Sequence, residues 1–404
     1  MDVPTLLLTL TGPDRPGVTS ALLSAVGGFG VQVLDVEQVV IRGRLVVGVL
    51  LTVPRNESAL RETVAMTSER LGMAAEIERG AGDTRPRAGG RSIVTVLGSP
   101  LTPAALAAVT GRIADTGANL DRIVRIAHYP VTAVEMHVSG TGTDRLRVLL
   151  AQEAARAHVD VAVQSAALHR LGARLVVLDQ DSTLVQGEVI DLLAERAGCR
   201  PEVSALTDAA MRGELDFAES LRRRVAMLSG LEVGVLDEVY RDLQLAPGAR
   251  TLIRTLKRLG YRFAIVSGGF AAVTDRVAAD LGIDYTAANR LEFSDGRLTG
   301  RLLGDILDRA GKATALRRFA ASAGIPIEQT VAIGDGANDL DMLAAAGLGI
   351  AFNARTAVRE AADTAVNVPY LDAVLYLLGI SRAEIEAADA AAGVATPSPD
   401  LGDV

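Results

Sequence analysis

Four stretches in the second half of this 404-residue chain carry residue types that could do chemistry together. The first is Asp179-Gln180-Asp181-Ser182-Thr183, directly after an apolar run at 175–178. The second is Ser267-Gly268-Gly269, after the run at 263–266, and the third is Lys312 in Ala310-Gly311-Lys312, opening a helical pattern. The fourth is Gly334-Asp335-Gly336-Ala337-Asn338-Asp339, after the run at 331–333. Carboxylates gathered in one place repel one another and are costly unless a cation joins them. Oxygen ligands without thiolates point to Mg²⁺. A lysine, a serine hydroxyl and backbone N–H groups bared by glycine supply donors for the oxygens of an anion. The four histidines, His128, His137, His158 and His169, all precede these stretches, which excludes a Ser/His/Asp or Cys/His mechanism within the second half. Carboxylates, a divalent cation and an oxyanion cradle without histidine suggest phosphoryl transfer through an acyl-phosphate. Taken singly, an Asp after a strand can be a helix N-cap and Gly-Asp-Gly a turn; the signal lies in four such stretches in order.

The elements around these stretches can position them. Ligands of open α/β sheets bind beyond the carboxyl ends of the strands, and three of the four stretches stand at such ends. From residue 172 onward, strand-length apolar runs alternate with helical patterns, with a hairpin around Asp295-Gly296. This alternation predicts an α/β domain over 172–385, built on a doubly wound parallel sheet. Residues 187–244 read as helical throughout, so a helical lid, about 185–246, is expected over the strand ends. The end, 389–404, is rich in Ala, Gly, Pro and Asp and is expected to be disordered. The first half repeats itself. The order βαββαβ is read over 1–80 and again over 91–167, about 86 residues apart, which predicts two ferredoxin-like units. The Gly/Pro-rich polar segment 80–91 reads as their linker.

The four stretches resemble the motifs of the haloacid dehalogenase superfamily of phosphatases, over about 172–385. That family's Asp-x-Asp-x-Thr is met by Asp179 to Thr183, followed in order by Ser267, Lys312 and the run 334–339. The resemblance implies a Rossmann-like sheet with a helical cap. It implies that Asp179 is the nucleophile, and that Asp181 protonates the leaving alkoxide and then takes a proton from water. It further implies that Asp179, Asp335 and the backbone carbonyl of Asp181 hold Mg²⁺, that Lys312 and Ser267 hold the phosphoryl oxygens, and that Asp339 orients Lys312 or a metal-bound water. The lid is similar to that of phosphoserine phosphatases in Gly213-Glu214-Leu215-Asp216-Phe217 and in the run from Arg224-Val225 to Gly230-Leu231. This implies Glu188 for a substrate ammonium and Arg224 for its carboxylate, which arginine grips with two parallel N–H bonds as lysine cannot. Ser267, Gly268 and Asn338 would touch the phosphate side, and Met211 and Phe217 would close the pocket. The expected activity is hydrolysis of O-phospho-L-serine to serine and phosphate, the last step of serine biosynthesis. The same chemistry on another small phosphomonoester, transfer to an alcohol other than water, and an amino-acid-binding protein with an inactive phosphatase half stand as alternatives.

The two βαββαβ units look like ACT domains, the amino-acid-sensing modules attached to metabolic enzymes. In the first copy, Gly12-Pro13-Asp14-Arg15-Pro16-Gly17 matches that family's ligand loop. Its glycines allow close backbone approach, and helix-start N–H groups suit a carboxylate. Asp14 and Gly17 are the candidate effector residues, with serine expected as an inhibiting effector. The second copy has Gly98-Ser99-Pro100-Leu101-Thr102-Pro103 there, without the Asp-Arg-Pro-Gly core, which points to packing or dimerisation. His128 and His137 lack a third ligand and read as structural. The formal net charge of −8, with 7 Phe, 6 Tyr and no Trp, argues against nucleic-acid binding. Cys199 alone can form no intrachain disulfide and no multi-thiolate metal site. No apolar stretch approaches the ~18–20 residues a membrane span needs, and Asp2 and Pro4 do not open a secretory leader. A cytoplasmic homodimer without membrane partners is expected.

Overall fold

The computed structural model describes residues 4–82, 90–166, 174–211 and 215–397, the side chains of 208, 210 and 211 excepted. The chain divides into two compact units, Met1–Arg87 and Ala88–Val404.

In the first unit β1 (Pro4–Pro13), α1 (Val18–Gly27), β2 (Val33–Ile41), β3 (Arg44–Thr52), α2 (Glu57–Leu71) and β4 (Ala74–Ala81) form an antiparallel sheet in the order β2-β3-β1-β4. Alternation along β1 turns Leu6, Leu8 and Leu10 to one face. They pack there with Val47 and Val49 of β3, Leu22 and Val26 of α1, and Leu60 and Val64 of α2. Arg42 and Gly43, at φ 50° and 74°, make the left-handed turn that a two-residue hairpin requires. The edge strand β2 leaves Val33, Val36, Val39, Val40 and Ile41 exposed.

The second unit begins with the same order: β5 (Arg91–Gly98), α3 (Pro103–Ala114), β6 (Asn119–Ala127), β7 (Thr132–Ser139), α4 (Thr143–Ala157) and β8 (Asp160–Ser165), with sheet order β6-β7-β5-β8. One face carries Val94, Val96, Val134, Met136 and Val161 against the two helices. The other face is covered as well, because Leu97, Ala133 and Ala162 belong to the core of the domain that follows.

That domain holds a seven-stranded sheet in the order β12-β11-β10-β9-β13-β14-β15. Its strands are β9 (Leu175–Leu178), β10 (Arg262–Phe270), β11 (Tyr285–Ser294), β12 (Arg297–Leu303), β13 (Thr330–Gly334), β14 (Leu348–Phe352) and β15 (Thr364–Val366). All pairings are parallel except β11 with β12, which turn at Asp295 and Gly296, φ 50° and 75°. The central strand β9 reads Leu-Val-Val-Leu without alternation because both of its faces are buried. Val176 and Leu178 face one core and Leu175 and Val177 the other.

Between β9 and α9 (Ala249–Arg258) stands the cap, made of α5 (Val189–Ala197), α6 (Arg200–Met211), α7 (Phe217–Ala226) and α8 (Val235–Asp242). The chain enters and leaves it side by side: Val185 bridges Leu245, and Ala246 N donates to Leu184 O at 2.9 Å. The remaining helices are α10 (Ala271–Leu281), α11 (Arg309–Ala323), α12 (Leu340–Ala345), α13 (Thr356–Ala361), α14 (Val374–Leu377) and α15 (Arg382–Ala391).

Residues 389–397 depart from the expected disordered tail. α15 runs through Ala391, and Asp389 is fully buried, accepting from Arg254, Arg258 and Thr396. The sequence shows an acidic, small-residue end; what orders it is a pair of arginines on α9.

Candidate active site

β9 ends at Leu178, and the chain leaves the sheet at Asp179, whose N–H donates to Ile333 O of β13 at 2.9 Å. This bond ties the first acidic stretch to the fourth. The turn that follows needs Ser182 at φ 56°, a left-handed conformation that costs a non-glycine residue of order 1–3 kcal/mol. It returns the chain so that Asp181 lies beside the start of α5. Asp181 Oδ1 accepts from Val189 N at 3.3 Å and from Gln180 Nε2 at 3.5 Å.

Lys312, on the first turn of α11, is fully buried. Its Nζ lies 2.8 Å from Asp179 Oδ2 and 2.7 Å from Asp339 Oδ1. Asp339 Oδ2 accepts from Gly336 N at 3.0 Å, and Asp335 Oδ1 accepts from Thr183 Oγ1 at 3.1 Å. One oxygen from each of Asp179, Asp335 and Asp339 lies within 4.8 Å of the other two.

A single ammonium does not balance this many acids. Burial, then the neighbouring Asp339, pushes Asp179 well above the usual carboxylate range despite Lys312. Burial and Asp339 likewise push Asp335 up to about 6. Asp181 is pushed up to about 7 by burial and by Glu188. Burial alone would lower Lys312, but Asp179 and Asp339 outweigh it and hold the ammonium above its ordinary value. Buried oxygen ligands short of positive charge fit a hard divalent cation, which would relieve the repulsion.

Ser267 closes the other side. It is fully buried in the last half of β10, and its Oγ accepts from Gly269 N at 2.9 Å. A Cβ on Gly269 would stand 2.9 Å from Asp181 Oδ2 and 3.0 Å from Ser267 Oγ, so glycine is what lets the loop and the acid approach. The structure therefore brings Asp179, Asp181, Ser267, Lys312, Asp335 and Asp339 together at the carboxyl ends of adjacent strands.

From the cap, Phe217 lies over Gly268, where a Cβ would stand 3.3 Å from the ring. Glu188 accepts from Ser182 Oγ at 3.2 Å, and burial raises its carboxyl. Arg224 is buried, with Glu188, Asp191 and Asp181 acting on it electrostatically. Asn338 folds its side chain over Gly336. The Met211 side chain falls outside the described residues. Asp14 and Gly17 belong to the other unit: Asp14 N donates to Gly43 O at 2.8 Å, and Gly17, at φ 91°, stands at the N-terminus of α1.

Two further polar residues support the site. Asn289, buried in β11, donates to Gly268 O at 2.8 Å and accepts from Leu307 N at 2.7 Å, which fixes the Ser267 loop. A lone amide inside a strand is its one sequence signal. Gln180 is fully buried between the two aspartates, with no partner for Oε1 among the described residues. It occupies the variable position of Asp-x-Asp, which hides it from motif reading.

Residues 176–344 match the family model of haloacid dehalogenase-like hydrolases, and residues 4–78 and 91–164 match ACT domain models. A phosphoserine phosphatase of Streptomyces coelicolor is 60% identical over 404 residues, all of this chain and 97% of that protein. This chain belongs to the phosphoserine phosphatase family. A second family member, from Mycobacterium tuberculosis, is 54% identical over 390 residues and 95% of each chain. Among solved structures, a probable phosphoserine phosphatase from Vibrio cholerae superposes with a TM-score of 0.57 at 34% identity, covering 73% of this chain and 88% of that one. A haloacid dehalogenase family hydrolase from Salmonella enterica serovar Typhi gives 0.63 at 30% identity, covering 71% and 98%. The family's members are phosphatases, and this chain is an enzyme with two ACT domains ahead of its phosphatase domain. No helix among the described residues is long and apolar enough to cross a membrane.

Proposed function

We propose that this enzyme hydrolyses O-phospho-L-serine to L-serine and phosphate through a phosphoryl group carried on Asp179. The observation that carries the reading is that two opposite charges from the cap, Glu188 and Arg224, stand near Asp181 without being joined to each other. A phosphomonoester that also bears an ammonium and a carboxylate uses all three groups.

In the first half-reaction an Asp179 carboxylate oxygen attacks phosphorus and the bond to the serine oxygen breaks. Asp181, protonated, gives its proton to that oxygen, so serine leaves as an alcohol. An alkyl alkoxide is a poor leaving group, so this proton is worth about 10²–10⁴-fold. In the second half-reaction water attacks phosphorus, Asp181 takes the water's proton, and the acyl-phosphate bond breaks to return Asp179. Lys312 and Ser267 hold the phosphoryl oxygens throughout, and Asp339 keeps Lys312 in place. Asp179, Asp335 and the Asp181 carbonyl would hold Mg²⁺, which when bound offsets phosphoryl and carboxylate charge. Phosphate release from phosphoserine with Mg²⁺ and with EDTA, beside phosphothreonine as a control, tests the reading. Full activity in Asp179→Asn overturns the assigned nucleophile.

The product makes this the last step of serine biosynthesis, and we propose that serine inhibits through the first ACT domain. Gly17 leaves the start of α1 without a side-chain cap, whereas Thr102 caps α3 in the second copy by accepting from Ala105 N at 3.2 Å. The open N–H groups at α1 suit a carboxylate. Because residues 91–165 share a core with the phosphatase domain, removal of 1–87 is the cleaner test. Serine inhibition that persists in that truncation points to product binding in the active site. The lone cysteine supports a cytoplasmic place, and the apolar row on β2 supports a homodimer.

A further inference from the structure

Arg224 is only 8% exposed and has five N–H donors to satisfy. Among the described residues it makes one hydrogen bond, Nη1 to Thr207 Oγ1 at 3.3 Å, and its buried Nε has no partner. Thr207 stands on α6, opposite Arg224 on α7. Its hydroxyl spends its one hydrogen on Val203 O at 3.1 Å, so only lone pairs are left to face the guanidinium. Two acids nearby, Glu188 and Asp191, attract Arg224, yet among the described residues its one bond goes to Thr207 and no ion pair forms with either acid.

An arginine left free beside two acids would turn to them, since a charge-assisted pair is stronger than a bond to a neutral hydroxyl. Glu188 would then be spent on Arg224, and neither would be available to a zwitterionic substrate. We propose that Thr207 is a positioning residue for substrate recognition: its hydroxyl holds the Arg224 guanidinium apart from Glu188 and keeps its remaining donors turned to the substrate carboxylate. This rests on the reading of Arg224 given under the proposed function. Thr207 touches no reacting atom, so its effect lies in binding and falls only on substrates that carry a carboxylate.

The test compares wild type with Thr207→Val, which keeps the shape and removes the acceptor, and Thr207→Ser, which keeps the acceptor. Phosphoserine and phosphoethanolamine, the same ester without a carboxylate, are the substrates. Thr207→Val is expected to raise KM for phosphoserine roughly tenfold, the worth of a hydrogen bond to a charged group, with kcat within about twofold. Phosphoethanolamine kinetics stay unchanged, and Thr207→Ser restores the wild-type KM. Should Thr207→Val not fold, Thr207→Ala carries the same comparison. An unchanged phosphoserine KM, or an equal rise for both esters, overturns the proposal while leaving the substrate reading intact. A wild-type enzyme that treats both esters alike overturns the substrate reading and this proposal with it.

Discussion

Lys312 Nζ stands 2.7 Å from Asp339 Oδ1, with both side chains closed off from solvent. The same ammonium lies 2.8 Å from Asp179, so one lysine answers two carboxylates. Breaking a buried pair by removing one partner leaves an uncompensated charge, which costs about 3–5 kcal/mol. Lys312→Met keeps the length of the stem and deletes the charge. It is expected to lower the free energy of unfolding in EDTA by about that amount and to abolish phosphate release. Urea denaturation checks the first point; wild-type stability in the variant would show that Lys312 does not hold the cluster together.

Removing metal should weaken the fold as well as the activity. Asp335 and Asp179 are both held above their ordinary range by burial and by Asp339, so the cation-free site carries repulsion. A cation that binds only the folded chain adds about 2.7 kcal/mol at a free concentration 100 times its Kd. Thermal melting with Mg²⁺ and with EDTA should therefore separate, the EDTA sample melting lower. Asp335→Asn should bring the two curves together. Coincident curves for the wild type would mean that these carboxylates hold no ion.

At Gly269 the Ser267 loop comes close to the acid. A Cβ there falls 2.9 Å from Asp181 Oδ2, a distance that real Cβ contacts essentially never show. Gly269→Ala must push Asp181 or the loop aside, and displacement of about 1 Å in a catalytic group can cost 10²-fold. The expected loss is in kcat for phosphoserine, with an alkyl leaving group. p-Nitrophenyl phosphate, whose leaving group needs little protonation, should be hydrolysed with a smaller deficit. Equal losses on both esters would place the damage elsewhere than at Asp181.

Much of this architecture can be read without coordinates, and the reasons are local. Leu175–Leu178 reads as a strand buried on both faces, and the acids at 179 and 181 follow it directly. The hairpin at Asp295-Gly296 declares itself by the turn it needs. What stays hidden depends on partners far along the chain. Asp389 looks like a solvent residue until Arg254, 135 residues earlier, is placed beside it. The strand β15 has three residues and no pattern of its own. Nothing in the second ACT domain shows that its sheet will be covered on both faces, because Leu97, Ala133 and Ala162 look like ordinary strand residues. Gln180 and Asn289 escape for a different reason: each is a single polar residue in an apolar setting, and only geometry shows what it holds.

The seam between the second ACT domain and the phosphatase sheet contains an acid whose protonation should govern stability. Thr364 Oγ1 of β15 donates to Val161 O of β8 at 2.9 Å, and Asn367 N donates to Asp160 Oδ2 at 2.7 Å. Burial pushes the Asp160 carboxyl from 3.8 up to about 6, against the Asn367 hydrogen bonds and Arg359, which pull it down. Between these two values the folded chain holds a proton there that the unfolded chain has released. Stability therefore falls as pH rises through this window, by up to about 3 kcal/mol for a shift of this size. Above about pH 6 both states are ionised, and the penalty stays constant. Asp160→Asn cannot titrate. The difference in thermal midpoint between wild type and this variant should thus move against the wild type as pH rises from 4 to 7. A difference that stays flat across that range would mean that Asp160 ionises in the fold as easily as in the open chain, and that the seam is not a buried one.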